Sequence, residues 1–248
     1  MIPETLAILD LWEMSMSVAE LKFIAIKKGV IARATALRIK DIVGRVFAAR
    51  YLCDRARPAL HIKKLLDQGV PANRLNQIFL IHTARAHDVL HDFITEAYWK
   101  KYTAGATIIT RQDALDFLCR AANNGIIAPR WSETMMLRVA RYLTGCLTDF
   151  QMAGNDHGGQ REIIPFKIQT PTVIYLSHDI HFSGFSDNAL IEHPDWHLFG
   201  LEPMDVRYEL ERASNGHFIT QFSGDLMRIT WKHKTMEEAL SGLAAAEF

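Results

Sequence analysis

Helix-start and helix-stop signals divide the first hundred residues, and almost no alternating strand pattern lies between them. Terminal glycines, a cap threonine and a first-turn proline supply these signals: Gly29, Thr35, Pro58, Gly69 and Gly105. The pattern predicts one helix over residues 4–28, a second through "TALRIKDIVGRVFAARYLC" and several more. Residues 1–105 are therefore predicted to fold as a helical bundle.

The zero net charge of the 248 residues hides an asymmetry along the chain. Residues 1–144 contain 21 Lys and Arg against 13 Asp and Glu, whereas residues 145–248 contain 7 against 15. Residues 22–64 hold twelve basic side chains but only two acidic ones, Asp41 and Asp54. Such a basic bundle attracts an anionic partner if its charges share one surface. The alternative is that the two halves of the chain neutralise each other across an interface.

The stretch "RWSETMMLRVARYLTGCLTDF", residues 130–150, has the period of an amphipathic helix. Its apolar side chains share one face: Met136, Ala140, Leu143, Leu147 and Phe150. The opposite face is small or cationic and contains no acid: Thr134, Arg138, Arg141 and Gly145. This face is either a solvated surface or a contact with an anionic polymer.

Two helices joined by a glycine-containing turn are predicted around this stretch. Thr110 and Asp113 have the spacing of a capping box at the start of the first helix, and "NNG" ends it. Ser132 is the expected N-cap of the second helix, which would be the reading helix of a helix-turn-helix unit. Residues 106–160 are therefore predicted to form a helix-turn-helix-like segment, although a helical hairpin that binds nothing has the same pattern.

The C-terminal part of the chain combines short helices with one predicted β-hairpin. The polar, glycine-rich "GNDHGGQREIIP" is the expected domain boundary. Short helices follow, and then "HFITQF" and "LMRITWK" flank a tight turn before a final helix. This order predicts a winged-helix-like domain over residues 161–248. The predicted fold class is mainly α, with a small β-hairpin.

Signals for catalysis or metal binding are weak. His178 and His181 share a predicted helix face, and His193, Asp195 and His197 lie nearby, but the glutamate of the His-Glu-x-x-His pattern is missing. Polar surface or helix-end histidines are the simpler interpretation. There is no Gly-x-Ser-x-Gly nucleophile motif. We therefore expect a protein without enzymatic activity, metal or cofactor.

The cysteines and the hydropathy pattern predict a cytoplasmic protein. Cys53, Cys119 and Cys146 match no metal or disulfide spacing, so we expect buried thiols in a reducing compartment. No apolar run approaches the roughly 18 residues that a membrane span requires. The start of the chain also lacks the basic region of a secretory signal.

Several stretches together resemble a known family. They are "ARATALRIKDIVGRVFAARYL", "FITEAYWKKYTAGATIITRQDALDFL", "RWSETMMLRVARYLTGCLTDF" and "HPDWHLFGLEPMDVRYELERASNGHFITQFSGDLMRITWKHKTMEEAL". The family is BrxA, a small accessory protein of bacteriophage-exclusion (BREX) defence systems. The resemblance implies a mostly helical fold with a NusB-like bundle and helix-turn-helix or winged-helix parts. It also implies DNA binding without known catalysis.

The leading hypothesis is a cytoplasmic, non-catalytic component of a BREX system that binds double-stranded DNA. No Asn- or Gln-rich face is available to read base edges, so weak sequence preference is expected. The predicted DNA-binding residues are Lys27, Lys28, Arg33, Arg38, Arg45, Arg130, Trp131, Ser132, Arg138 and Arg141. A scaffold that docks on other BREX proteins, such as the methyltransferase or the ATPase, and an RNA-binding protein are the alternatives.

Overall fold

The computed structural model describes residues 2–125, 131–214, 216–224 and 226–246. Over these ranges the chain is mainly helical and contains two small antiparallel pairs of strands. The predicted mainly-α class with a small β-hairpin is therefore confirmed. Among the described helices, none is both long and apolar enough to cross a lipid bilayer.

The helices are mostly short. In chain order the α-helices are α1 (Ile2–Leu11), α2 (Val18–Lys28), α3 (Ala36–Asp41), α4 (Ala48–Tyr51), α5 (Arg57–Asp67), α6 (Asn76–Arg85), α7 (Asp88–Asp92), α8 (Trp99–Thr103), α9 (Arg111–Asn123), α10 (Glu133–Asp149), α11 (Thr170–Phe182), α12 (Asp187–Ile191), α13 (Pro203–Ala213) and α14 (Met236–Ala246). Two wider π-helical segments, Ile42–Phe47 and Phe93–Tyr98, join α3 to α4 and α7 to α8. Short 3-10 turns span Asp54–Ala56, Ala72–Leu75 and Pro194–Phe199. The strands are β1 (Ile108–Thr110), β2 (Gln160–Glu162), β3 (Phe218–Ser223) and β4 (Leu226–Trp231).

The chain divides into two compact units. Unit 1 comprises Met1–Ala86, Gln169–His193 and Pro203–Phe248, and unit 2 comprises His87–Ile168 and Pro194–Glu202. These limits differ from the predicted boundaries at 105 and 160. The reason is that the chain leaves unit 1 after α6, returns to it at α11 and contributes one more short segment to unit 2.

The first predicted helix is two helices, so the single helix expected over residues 4–28 was wrong. α1 ends at Leu11, and α2 begins after Ser17. The Ser17 hydroxyl accepts a hydrogen bond from the Glu20 N–H, and the Glu20 carboxylate accepts one from the Ser17 N–H. This capping box starts a new helix. Gly29 ends α2 in the left-handed conformation, at φ 60°, as predicted.

The core of unit 1 is organised around α11. This helix is buried from Thr172 to Ile180 and packs against α6, α13 and α14. Its buried face is not purely apolar, because Tyr175, His178 and Asp179 lie on it. Each of these polar groups needs a partner inside the protein, since an unpaired buried polar group is costly.

The predicted C-terminal hairpin is present, and its outer edge is protected. β3 and β4 pair with Phe218 opposite Trp231 and Ser223 opposite Leu226. On the far side of β4, the Met227 N–H donates to Asn188 Oδ1 at 3.0 Å and the Ile229 N–H donates to Asp187 Oδ2 at 2.9 Å. The side chains of α12 therefore satisfy the edge that a free strand would leave open.

Unit 2 is built on α9 and α10, which pack against each other. The predicted caps are confirmed: Thr110 and Asp113 form a capping box on α9, and Ser132 accepts from the Met135 N–H on α10. Below the helices, the Tyr98 hydroxyl donates to the carbonyl of Met152 at 3.1 Å. The apolar face of α10 is therefore buried, while its opposite face remains exposed.

The segment predicted to be a domain boundary is part of unit 2. β1, before α9, pairs with β2, after α10, so that Ile108 lies opposite Glu162. The loop between α10 and β2 is held by Asp156. Its carboxylate accepts from the Gly159 N–H at 2.7 Å and lies 3.4 Å and 3.3 Å from guanidinium nitrogens of Arg111 and Arg161.

Replacing Asp156 with alanine is expected to loosen the loop over residues 154–159 without unfolding unit 2. The carboxylate is exposed, and such ion pairs contribute little to global stability. The Gly159 amide, however, loses its acceptor. Amide hydrogen exchange should therefore become faster at Gly159 while the Tm stays within about 2 °C of wild type. Asp116→Ala, an exposed carboxylate on α9, is the control, and unchanged exchange at Gly159 would contradict the assignment.

Candidate nucleic-acid interface

The exposed side of α10 has the charge that the sequence indicates. Thr134, Arg138 and Arg141 are exposed and Gly145 is half-buried, while Met136, Ala140, Leu143 and Leu147 are buried as predicted. We call these four, Thr134, Arg138, Arg141 and Gly145, the α10 stripe. It is a cationic surface that solvent reaches.

The N-terminal end of α10 contributes two more predicted residues. Ser132 is exposed but its hydroxyl is occupied as the N-cap, and Trp131 is half-buried. Arg130 lies outside the described residues. Ser132 therefore has a structural role as the cap of α10, and its contact with DNA stays a prediction.

Tyr142 is a residue of this surface that the sequence analysis did not select. Its side chain is 62% exposed, although it is large and aromatic. At 100° per residue it follows Arg138 around the helix by 40°, so the two lie side by side. A tyrosine hydroxyl is a common donor to backbone phosphate. The helical period places Tyr142 beside Arg138, but it does not predict that the neighbouring elements leave Tyr142 exposed.

The predicted basic residues of unit 1 lie on and between α2 and α3. Lys27 and Lys28 end α2, Arg33 lies in the connecting loop, and all three are exposed. Arg38 and Arg45 are also exposed, and both contact one carboxylate, Asp41, at 3.4 Å and 3.3 Å. The side chain of Arg45 remains 87% exposed, so this shared ion pair leaves it available.

A cleft of about 430 Å³ opens between α2 and the continuous helical segment that begins with α3. We call it the α2–α3 cleft. Lys22, Lys40, Asp41 and Arg45 line it together with apolar side chains and Gly44. Three cations against one carboxylate make the cleft electropositive. Lys22 and Lys40 were not selected from the sequence, because their convergence on Arg45 depends on how the two helices pack.

Unit 1 also contains a buried polar network that resembles a catalytic arrangement. The Tyr175 hydroxyl lies 3.1 Å from His61 Nδ1 and 2.7 Å from His82 Nε2. Burial lowers the pKa of His61 to about 4 and that of His82 to about 3, so both rings are neutral near pH 7. All three side chains are buried, at 5% exposure or less. The network therefore lies in the core of unit 1, where it satisfies buried polar groups.

A buried ion pair adjoins this network. Arg85 Nη1 donates to Asp179 Oδ2 at 2.6 Å, and Asp179 is 1% exposed. Burial alone would raise the pKa of Asp179, but the Arg85 guanidinium holds it below its ordinary value. Because a buried carboxylate without its partner is strongly destabilising, this contact ties α6 to α11.

The histidines considered as metal ligands are arranged differently from the prediction. His178 is buried rather than superficial, and its ring centroid lies 6.3 Å from that of His217 and 5.7 Å from that of His233. His178 Nδ1 donates to the Ile174 carbonyl at 2.8 Å. Burial lowers the pKa of His178 to about 4. Over the ranges that the structure describes, no three histidine, cysteine or carboxylate side chains form a metal-binding group.

The expectation of buried cysteines was wrong. Cys53 and Cys119 are exposed and Cys146 is half-buried, and all three are free thiols. The spacing of the three cysteines predicted that they do not pair, but spacing contains no information on whether a cysteine is buried.

Comparison with known proteins identifies the family. A family model described as BrxA matches residues 1–179, which is more than half of the chain. The chain belongs to the BrxA family. Membership associates the protein with BREX phage-exclusion systems, in agreement with the resemblance seen in the sequence. No curated protein and no solved structure matches the chain.

Proposed function

We propose that this BrxA-family protein binds double-stranded DNA as a cytoplasmic, non-catalytic component of a BREX defence system, with weak sequence preference. The observation that carries the proposal is the α10 stripe. It is exposed, cationic and free of acidic residues, on a helix whose opposite face is anchored in unit 2. DNA phosphates are the anionic partner that suits a row of arginines.

The order of elements in unit 2 supports this proposal. A helical segment ending in α8 is followed by β1, α9, α10 and β2, and β1 pairs with β2. In helix-turn-helix proteins the second of two consecutive helices lies in the major groove. In that arrangement α10 is the reading helix.

The side chains on the surface favour phosphate contacts over base reading. Arg138 and Arg141 offer donors only, and Tyr142 adds one hydroxyl. Asn or Gln side chains, which pair with adenine edges, are missing from α10. Sequence-independent binding, dominated by counterion release, is the expected behaviour.

A salt series tests the proposal. Binding of the full chain to two unrelated duplexes is measured by fluorescence anisotropy between about 50 and 300 mM salt. The logarithm of the association constant should fall linearly with the logarithm of salt, equally for both duplexes. A slope of about −7 corresponds to phosphate contacts by all eight predicted lysines and arginines.

The same experiment separates the alternatives. Absence of binding at the lowest salt would reject the DNA proposal and leave the α10 stripe as a solvated face. Tighter binding to a structured RNA than to either duplex would favour the RNA-binding hypothesis.

Docking on another BREX protein, such as the methyltransferase or the ATPase, is a second candidate function. Large apolar side chains stay exposed on α13 and the β3–β4 hairpin: Met204, Tyr208, Ile219 and Leu226. The acidic excess of residues 145–248 surrounds them in sequence. Co-purification with a BREX protein that survives nuclease treatment, and is lost in Met204→Ser with Tyr208→Ser, would support it. Retention of the complex by this variant would reject that surface.

A further inference from the structure

Gly44 lies inside a helical segment, where glycine is unfavourable compared with alanine. Its backbone does not require glycine, because Gly44 is not among the residues with positive φ. What it provides is space. A Cβ built on Gly44 would lie 2.7 Å from Lys22 Nζ and 2.8 Å from Lys22 Cε. Gly145, also within a helix, differs, since a Cβ there meets no atom within 4 Å.

The space above Gly44 determines where the Lys22 ammonium lies. The end of the Lys22 side chain lies across Gly44, against the π-helical segment, and Lys22 as a whole is half-buried. Lys22 therefore lines the α2–α3 cleft between helices, together with Lys40 and Arg45. Without that space the flexible Lys22 side chain would turn away, and the cleft would lose the cation on its α2 wall.

The chemistry of the cleft suits a phosphate group. Ammonium and guanidinium groups are donors without acceptors, so they do not distinguish base edges but do neutralise phosphate oxygens. Asp41 forms ion pairs with Arg38 and Arg45, and within the described part of the chain no carboxylate pairs with Lys22. A cleft with cations on two walls holds one phosphate more closely than a flat basic surface does.

We propose that the α2–α3 cleft seats a backbone phosphate of double-stranded DNA, with Lys22 as the contact and Gly44 as its positioning residue. This rests on the DNA binding proposed above and adds Lys22 and Gly44 to the residues that determine it. A general basic surface would not depend on an uncharged residue. Here the size of Gly44 is expected to control the affinity for DNA.

Three variants of the full chain test the proposal: Lys22→Gln, Gly44→Ala and the two combined. In the same salt series, Lys22→Gln should weaken binding about eightfold near 0.1 M salt and reduce the slope by about 0.9. Gly44→Ala should weaken binding in the same direction and reduce the slope similarly, while its Tm is equal to or above that of wild type. The combined variant should bind as Lys22→Gln does, because Gly44 acts only through Lys22.

Matched controls keep the result specific. Lys64→Gln on α5 makes the same change of charge outside the cleft and should leave affinity near that of wild type, and Lys22→Arg should retain binding. If wild type binds DNA and both Lys22→Gln and Gly44→Ala bind it as tightly as wild type does, the cleft assignment is overturned, whereas the proposal of DNA binding stands. Additive losses in the combined variant would overturn the positioning role of Gly44. If wild type binds no duplex, the proposed function itself fails.

Discussion

Lowering the pH from 7 to 5 is expected to remove on the order of 5 kcal/mol from the free energy of unfolding. His61 and His178 have a pKa of about 4 in the folded protein and His82 one of about 3, against 6.5 when exposed. The difference in bound protons between the unfolded and the folded chain therefore grows as the pH falls, and it approaches three for these groups near pH 5. Each group contributes nearly 2 kcal/mol at pH 5, although groups that share a network do not add fully.

The direction of the stability change with pH follows from the direction of the histidine pKa shifts. A depressed histidine pKa means that stability is complete above pH 6.5 and falls as the pH drops towards 4. Asp179 acts in the same direction only at lower pH, because its carboxylate stays ionised down to its own lowered pKa. Since small domains have about 5–15 kcal/mol of stability in total, unit 1 should be close to unfolding at pH 5.

Urea unfolding followed by circular dichroism at pH 7, 6 and 5 measures this dependence. His178→Phe removes one of the histidines with a strongly lowered pKa, so its stability should fall less steeply with pH than that of wild type. His157→Gln, at an exposed position in unit 2, is the control and should keep the wild-type slope. A free energy of unfolding that is constant between pH 7 and 5 would contradict the assignment of neutral, buried imidazoles.

Reversing the two arginines of the α10 stripe is expected to reduce DNA affinity about 100-fold near 0.1 M salt. Arg138→Glu with Arg141→Glu removes two proposed phosphate contacts, worth about eightfold each, and adds repulsion. The slope of the salt dependence should become shallower by about 1.8. Both positions are exposed, so the Tm should stay within about 3 °C of wild type.

A control variant with the same change in net charge distinguishes loss of a local phosphate contact from a general loss of electrostatic attraction. Lys64→Glu with Arg74→Glu changes the net charge by the same four units, at positions in unit 1 outside both the α2–α3 cleft and the predicted DNA-binding residues. It should weaken binding far less than the α10 variant. Equal losses in the two double variants would mean that the protein responds to its total charge and that α10 is not the reading helix.

Local signals predicted helix ends well because each one is decided within about four residues. Thr35, Ser132 and the pair Thr110 and Asp113 cap the helices that they were expected to cap. The same rule, applied to Ser17 and Glu20, would have divided the first helix correctly. The periodicity of residues 132–150 likewise predicted which side of α10 is buried, so the exposure of Arg138 and Arg141 followed from the sequence.

Longer-range features did not follow from local pattern. β1 and β2 contain three residues each, too few for an alternating pattern, and they become strands because each is the pairing partner of the other. His178 was expected at the surface, yet it is buried against His217 and His233, about 40 and 55 residues away in the chain. Local sequence does not predict the burial of His178, because it depends on distant segments that pack over α11.

The sequence by itself determined the mainly helical class, several helix ends, the C-terminal hairpin, the family and the charge of α10. All of these depend on neighbours in the chain or on composition. Only the tertiary structure decided the two units, the neutral histidine network around α11 and the position of Lys22 over Gly44. These depend on packing between distant segments, where one methyl group of space or one desolvated ring determines the outcome.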